Sequence, residues 1–348
     1  MIRFWNWNQI MLGLEIREEG IFATSIDSLK FIDVQLHGWL MESSQILIAG
    51  VGGIGCSWAK GAWSRCDSEA DILLIDADDE SFSGVERGHV LRLGTVVDKL
   101  GCASLPPLAE QRMRSVSSVV SKLMEPVELV ILLTGLGGGT GTGAAHEFAR
   151  QARLSGAIVI AVSAMPFEVQ STRLKIAEDG FDRLDKFAHV TVRLSLERLA
   201  RQAREKGRSW QMGAEWVEDL VDGLVRTLLR MGLINLDLMD LRAIVEQEGN
   251  ATLLVGMGEP EEPEKILHSA MMAPLAALDV SGATGCLIQI EGGLGMTLSQ
   301  VDSVARLFTE ALDSDAQVIL GARVSEDLVN TIRVVTLLAG IRDSNQPQ

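Results

Sequence analysis

Tyrosine is absent from the 348 residues, and the aromatic set is seven Trp and nine Phe. Cysteine is scarce: Cys56, Cys66, Cys102 and Cys286 are scattered, with no CxxC pair. That excludes a disulfide framework and a cysteine zinc site, and it fits a reducing compartment. His37, His89, His146, His189 and His268 also lack ligand spacing, so no metal site is predicted. No apolar run reaches the roughly 18–20 residues of a membrane span. The best stretch, Val127–Thr134, is short and runs into glycines. The N-terminus has no basic segment followed by an apolar core, as a secretory signal would. Positive charge is short as well. A formal net charge of -16 argues against a nucleic-acid partner, since phosphate binding needs a basic surface. A soluble cytoplasmic protein without a transmembrane segment is expected.

What remains is a chain that folds around generous cores. Its hydrophobic content is 47%, its mean hydropathy is +0.20, and its length favours two domains. Residues 1–40 read as a separate extension. Two β-like runs, Leu12–Ile16 and Ile21–Ile26, flank a turn at Arg17–Gly20 and predict a hairpin packed on the main body. Trp5 and Trp7 before it leave open a partner- or membrane-surface element. From Gln45 onward, short apolar runs alternate with helical stretches such as Ala144–Leu154. The runs are Ile46–Ala49, Ile72–Ile75, Leu129–Leu133 and Ile158–Val162. That rhythm predicts an α/β fold with a doubly wound parallel sheet over residues 41–209. A long amphipathic central helix follows, Trp210–Met231. Residues 232–348 predict a second, smaller mixed α/β domain with strands at Leu253–Gly256, Gly285–Glu291, Ala316–Ala322 and Ile332–Ala339 and a helix at Gln300–Leu312.

Two glycine loops carry the chemistry. Gly50-Val51-Gly52-Gly53-Ile54-Gly55 follows a strand and opens a helix, and Asp76 ends the next strand. By itself this matches a dinucleotide-binding turn and leaves an NAD-dependent dehydrogenase open. The second loop, Gly135-Leu136-Gly137-Gly138-Gly139-Thr140-Gly141-Thr142-Gly143, has the same strand-to-helix placement. A dinucleotide fold has no use for a second cradle this rich in glycine. A triphosphate does, because glycines admit its oxygens close to backbone N–H groups at a helix N-terminus. The loop lacks the lysine of GxxxxGK[ST], so it is not a P-loop. Thr140 and Thr142, at alternate positions, are expected to turn their hydroxyls the same way.

GGGTGTG resembles the signature of the FtsZ/tubulin family, and the resemblance runs from about Gln45 to Ile341, closer to FtsZ than to tubulin. It implies GTP or GDP as the bound nucleotide, with Mg2+, and the following roles. Gly50, Gly52, Gly53, Ile54, Gly55 and Cys56 belong to the first phosphate loop. Gly135, Gly137, Gly138, Gly139, Thr140, Gly141 and Thr142 form the second. Asp76 and Asp78 stand in the short loop after the second strand. Gly101, Cys102 and Ala103 fall where the γ-phosphate is sensed, with Ala103 in place of a usual glycine. Glu168, after Pro166-Phe167, would accept from the ribose hydroxyls, and Arg173 would lie near the phosphates. For the base, Ser195 and Ala214-Glu215 stand where the family commonly has Asn and an Asn-Asp pair. Glu215 would accept from guanine, and Trp210 would stack on it.

Asn235-Leu236-Asp237-Leu238-Met239-Asp240, directly after the central helix, resembles the family loop that reaches the neighbouring subunit's nucleotide. Asn235, Asp237 and Asp240 are therefore the catalytic candidates. A carboxylate can orient a water and draw off its proton, and acids three residues apart are expected to face one water or hydrated cation. The expectation is a GTPase that assembles head to tail into cytoskeletal filaments, for cell division or cell shape. Membrane-anchor or division proteins are possible further partners. Family members usually continue into a linker and a short recruiting peptide, whereas this sequence stops at Gln348. A tail-less paralogue is expected on that ground. The altered base-side positions keep open a nucleotide-binding structural or regulatory homologue with weak or no polymerisation and hydrolysis.

Overall fold

The computed structural model describes residues 44–66, 69–85, 87–94, 102, 104–205, 207, 214–230, 232–271 and 280–341, and the backbone of 14–17, 20–23 and 33–37. The predicted parallel sheet is present. Its strands are β4 (Ile46–Val51), β5 (Asp71–Asp76), β6 (Gly88–Arg92), β7 (Leu129–Gly135), β8 (Ile158–Met165) and β9 (Val190–Ser195). They pair in parallel in the order β6-β5-β4-β7-β8-β9. β4 and β8 are buried at every residue. Such strands lie between two helical layers, which is why they read as continuous Ile/Val/Leu runs rather than alternating ones.

Two cores result, one on each face. The first face holds Ile48, Ile131 and Ile160 under α1 (Gly52–Arg65) and α7 (Ala214–Leu229). The second holds Leu47, Val130, Leu132 and Phe148 under α2 (Pro106–Ser115), α3 (Ser117–Leu123) and α4 (Thr140–Leu154). Each fully buried Leu, Ile or Phe contributes about 1.5–3 kcal/mol relative to exposure. Next along the chain, α5 (Ser171–Asp185) packs beside α4, and α6 (Leu196–Glu205) follows β9. The order of strand addition reverses between β4 and β7, with β5 and β6 added on one side and β7, β8 and β9 on the other. In open α/β sheets such a switch point leaves a crevice at the carboxyl ends of the strands, and both glycine loops fall there.

At the other edge, β1 (Leu14–Arg17), β2 (Gly20–Ala23) and β3 (Asp33–His37) extend the same sheet. β1 and β2 pair antiparallel, with Arg17 and Gly20, expected in the turn, facing each other in the strands. The hairpin does not merely pack on the body: β3, unpredicted, pairs antiparallel with β6 and joins it to the sheet. Trp5 and Trp7 lie outside the described residues.

The second domain is built on the sheet β10 (Asn250–Gly258), β13 (Ile332–Ile341), β11 (Gly285–Gly292) and β12 (Gln317–Val324), in that order. β11 and β12 are parallel and the other pairs antiparallel. α9 (Pro263–Met271) and α10 (Leu298–Thr309) cover it. The mid-part of α7 meets this sheet where a methyl on Gly223 would touch Val335 Cγ2 at 2.9 Å. A buried ion network ties the two across this contact. Asp222 on α7 bonds Arg226 at 2.5 Å and Arg333 at 3.7 Å, and Arg333 and Arg323 both donate to Glu291. α8 (Leu238–Val245) bridges α7 and β10.

Candidate functional site

The two glycine loops meet. Gly52 has φ +74 and a methyl there would come within 3.0 Å of Gly141 N; Gly137 has φ +90. Both angles lie in the left-handed region that side chains rarely adopt. Thr134 links the loops, its hydroxyl donating to the Val51 carbonyl at 3.1 Å, with the Gly141 carbonyl at 3.4 Å. Not every glycine serves the cradle. A methyl on Gly55 would sit 2.2 Å from the Leu133 carbonyl, and one on Gly143 2.0 Å from that of Pro106. Gly55 lets α1 close on β7, and Gly143 lets α4 close on α2. Gly53 and Gly138 differ, since a methyl on either would meet only one side-chain atom, at 3.9 Å. They face open space.

The helices behind the loops start uncapped. Neither α1 nor α4 has a side-chain cap or an acid in its first turn. α2, α3 and α5 also start without one, whereas Asp237 and Thr297 make full capping boxes at α8 and α10. Orphan N–H groups with the positive end of the helix dipole behind them suit an anion. Two such ends converging on glycine fit a polyphosphate.

Thr140 and Thr142 correct the expectation of hydroxyls turned one way. The helix starts at Thr140, so residues two apart point to different sides. Thr142 Oγ1 accepts from Gly137 N–H at 2.8 Å, bracing the loop from behind. Thr140 hydrogen-bonds the Asp76 carboxylate and the Cys102 thiol. Asp76 is buried, accepting also from Ala77 N–H at 2.7 Å and the Ser81 hydroxyl at 2.6 Å. Burial pushes its carboxyl pKa up, and these hydrogen bonds work against the shift. Asp76 thus ties three segments together instead of presenting a carboxylate to solvent. Cys56 is buried too, its thiol on the carbonyls of Gly50 and Ile75, so only its backbone can reach a ligand.

Arg173 lies over the second loop: its Nε donates to the Gly137 carbonyl at 3.3 Å. Glu168 is exposed at the carboxyl end of β8. Cys102 closes the cradle from the other side. A methyl on Gly139 would meet the Cys102 carbonyl at 3.1 Å and Leu105 N at 3.0 Å, and Arg112 Nη1 lies 3.8 Å from the thiol. Gly101 and Ala103 lie outside the described residues.

The candidate catalytic side chains are elsewhere. Asn235 Oδ1 accepts from Gly232 N–H at 2.7 Å. Asp237 caps α8, and two residues past Asp240 the Arg242 guanidinium donates to the Gly156 carbonyl at 2.9 Å. Gly156 follows the carboxyl end of α4, whose amino end is the glycine loop. The 15 residues of α4 span about 22 Å at 1.5 Å per residue. In one chain, then, the phosphate cradle and the acidic loop sit at opposite ends.

The sequence matches the Tubulin/FtsZ family GTPase domain over residues 45–204 and the FtsZ family C-terminal domain over residues 249–342. It is 31% identical over 327 residues to cell division protein FtsZ 1 of Thermococcus kodakarensis, covering 92% of this chain and 87% of the relative. Against cell division protein FtsZ 2 of Halobacterium salinarum it is 30% identical over 304 residues, 86% of this chain and 77% of the relative. An empty FtsZ dimer from M. jannaschii superposes with a TM-score of 0.75 at 28% identity, covering 86% and 89%. A GTPγS-bound CetZ2 protofilament from Haloferax volcanii shares the fold, with a TM-score of 0.70 at 17% identity over 86% and 94%. This chain belongs to the FtsZ/tubulin family.

The residues expected on the base side are placed as follows. Ser195 ends β9 and its Oγ accepts from Arg198 N–H at 3.2 Å, starting α6. Glu215 is half-buried in the first turn of α7. Trp210 lies outside the described residues. Among those residues no three His, Cys, Asp or Glu side chains gather into a metal cage, and no helix is long and apolar enough to cross a membrane. Sequence reading missed Thr134, Ser81 and Arg112. Thr134 directly precedes the glycine run and was the one to find; nothing local marks Arg112.

Proposed function

We propose that this chain is a GTPase of the FtsZ type that assembles head to tail into filaments serving cell division or cell shape in the cytoplasm. The observation that carries the reading is the separation just described. The phosphate cradle and Asn235, Asp237 and Asp240 stand at opposite ends of one chain, so only a second copy can bring them together. A contact between two different surfaces propagates into an open chain. The M. jannaschii FtsZ dimer and the GTPγS-bound CetZ2 protofilament agree with this reading.

GTP supplies the phosphoryl group and Mg2+ neutralises charge on it. With no protein cage among the described residues, the cation would be held mainly through the phosphates. The chain's own residues do the rest. Backbone N–H groups of Gly52–Gly53 and Gly138–Thr140 hold the phosphate oxygens, and Arg173 adds positive charge beside them. From the adjoining copy, Asn235 orients a water, and Asp237 or Asp240 takes its proton. Positioning and electrostatics suffice for this transfer.

A second reading, a nucleotide-binding homologue with little hydrolysis, has one observation in its favour. Asp237 and Asp240 each spend one carboxylate oxygen on the other's backbone. Phosphate release from GTP, followed against protein concentration, separates the two. Turnover per subunit that rises above a threshold supports assembly-coupled hydrolysis; low, flat turnover with GTP still bound supports the homologue.

A further inference from the structure

A groove of about 300 Å³ at the carboxyl ends of β11 and β12 plays no part in the nucleotide chemistry. Pro260, Glu261, Leu294, Met296, Glu326 and Val329 are among the residues that line it. The loops that form it are locked together. A methyl on Gly293 would meet the Leu328 carbonyl at 2.1 Å, and Ser325 N–H donates to the Gly292 carbonyl at 2.9 Å. Two apolar side chains stand out into solvent at its rim, Leu294 at 77% and Val329 at 84% exposure. The lining contains two carboxylates and no Lys or Arg. The adjacent loop adds Glu259, Glu262 and Glu264, against which Lys265 pairs only with Glu262 at 2.7 Å.

The groove lies at the end of the molecule away from the nucleotide loops. Arg226 joins Asp327, in the groove's own loop, at 3.4 Å, and reaches the Arg65 carbonyl at 3.5 Å. Arg65 closes α1, which starts at the first glycine loop and whose 14 residues extend about 21 Å. At the nucleotide end the charge is reversed. α6 leaves the carboxyl end of β9 with Leu199, Ala200 and Ala203 buried and Arg198, Arg201 and Arg204 exposed in a row. From Leu196 to Arg208 the sequence carries five cations (Arg198, Arg201, Arg204, Lys206, Arg208) and two acids (Glu197, Glu205), a local +3 in a chain of net charge -16.

Copies with that net charge repel one another at long range, so a contact between them needs local complementarity. We infer that the occupant of the groove is a second copy of this chain, whose α6 arginine row seats against Glu261 and Glu326. The inference rests on the head-to-tail reading and adds to it a second, electrostatic contact that sets the strength of assembly. The exposed Leu294 and Val329 lose water in the same contact, as the apolar centre of an interface does.

The test is GTP-dependent sedimentation of the full chain, comparing wild type with Glu261→Arg, Arg201→Glu and the double charge swap. Glu261 and Arg201 are both exposed, and neither touches the nucleotide cradle. Each single variant should raise the critical concentration at least about five-fold, and the double variant should return within about two-fold of wild type. Bound nucleotide, measured after extraction, should be the same in all four proteins. Single variants that sediment like wild type, or a double variant no better than the singles, would overturn the inference while leaving the head-to-tail reading intact. The groove would then serve another protein or none. A wild type that binds GTP yet never sediments would overturn both.

Discussion

Asp237 and Asp240 cap each other's backbone across the first turn of α8: Asp237 Oδ1 accepts from Asp240 N–H at 2.9 Å, and Asp240 Oδ2 accepts from Asp237 N–H at 3.0 Å. Asp237 Oδ2 and Asp240 Oδ1 make no hydrogen bond among the described residues. The same two side chains therefore shape the loop and offer a carboxylate oxygen each to the adjoining copy.

The two roles can be separated. Asn is as good a cap as Asp, whereas Ala costs about 1 kcal/mol. Asp237→Asn should unfold in urea within about 0.5 kcal/mol of wild type, yet lose at least about 100-fold in phosphate release by removing the proton acceptor. Asp237→Ala should show both losses. Wild-type turnover in Asp237→Asn would remove this carboxylate from the chemistry.

The glycines divide by what a methyl would meet. Gly138→Val should fold normally but bind GTP weakly, because its side chain projects into the cradle where only Arg173 Nη2 stands, 3.9 Å away. Gly55→Ala should lower stability, since its methyl would sit 2.2 Å from the Leu133 carbonyl. Equilibrium unfolding and fluorescent-nucleotide titration, run on both variants, check the division.

The buried ion network joining α7 to the smaller domain is a stability element. Glu291 is 4% exposed and takes hydrogen bonds from Arg323 and Arg333. Glu291→Ala leaves two guanidinium groups buried with one carboxylate, Asp222, at 3.7 Å from Arg333. A loss of about 3–5 kcal/mol is expected for breaking such a pair from one side. Urea denaturation reads it directly; a loss under about 1 kcal/mol would mean that water replaces the carboxylate.

Acid should weaken the fold through His189. Burial lowers its pKa from 6.5 to about 4, and Nδ1 accepts from Val159 N–H at 3.0 Å, which requires the neutral ring. The unfolded chain then binds more protons between those values, so stability falls as pH drops from about 6.5 toward 4. His89 and His146, also shifted down by burial, act in the same sense, and Asp76, shifted up, acts in the opposite one. The His189→Gln variant should show a shallower loss of stability than wild type between pH 6.5 and 5. Parallel curves would remove His189 from the acid response.

Much of the architecture was legible because its causes are local. Strands β4, β7 and β8 are buried on both faces and announce themselves as unbroken apolar runs. The glycine loops announce themselves because no other residue fits Gly52, Gly137 or Gly141. β6 was missed because three of its first four residues, Gly88, His89 and Val90, are only half-buried and carry no clear alternation. The orientation of Thr140 and Thr142 was misjudged because a strand's two-residue period was applied to what is the first turn of a helix. The Asp222–Arg333–Glu291 network could not be read at all: its members are some 40 to 110 residues apart, and only the meeting of α7 with β11 and β13 brings them together.

The central claim is that one copy completes another's site, and complementation tests it most directly. Gly138→Val should bind GTP weakly but keep its acidic loop, whereas Asp237→Ala binds GTP and lacks a full loop. Each alone should be nearly inactive. Mixed in equal amounts, they should release phosphate, because the acids of the first can reach nucleotide held by the second. A mixture no more active than the sum of its parts, with both proteins folded and co-sedimenting, would contradict catalysis across the contact.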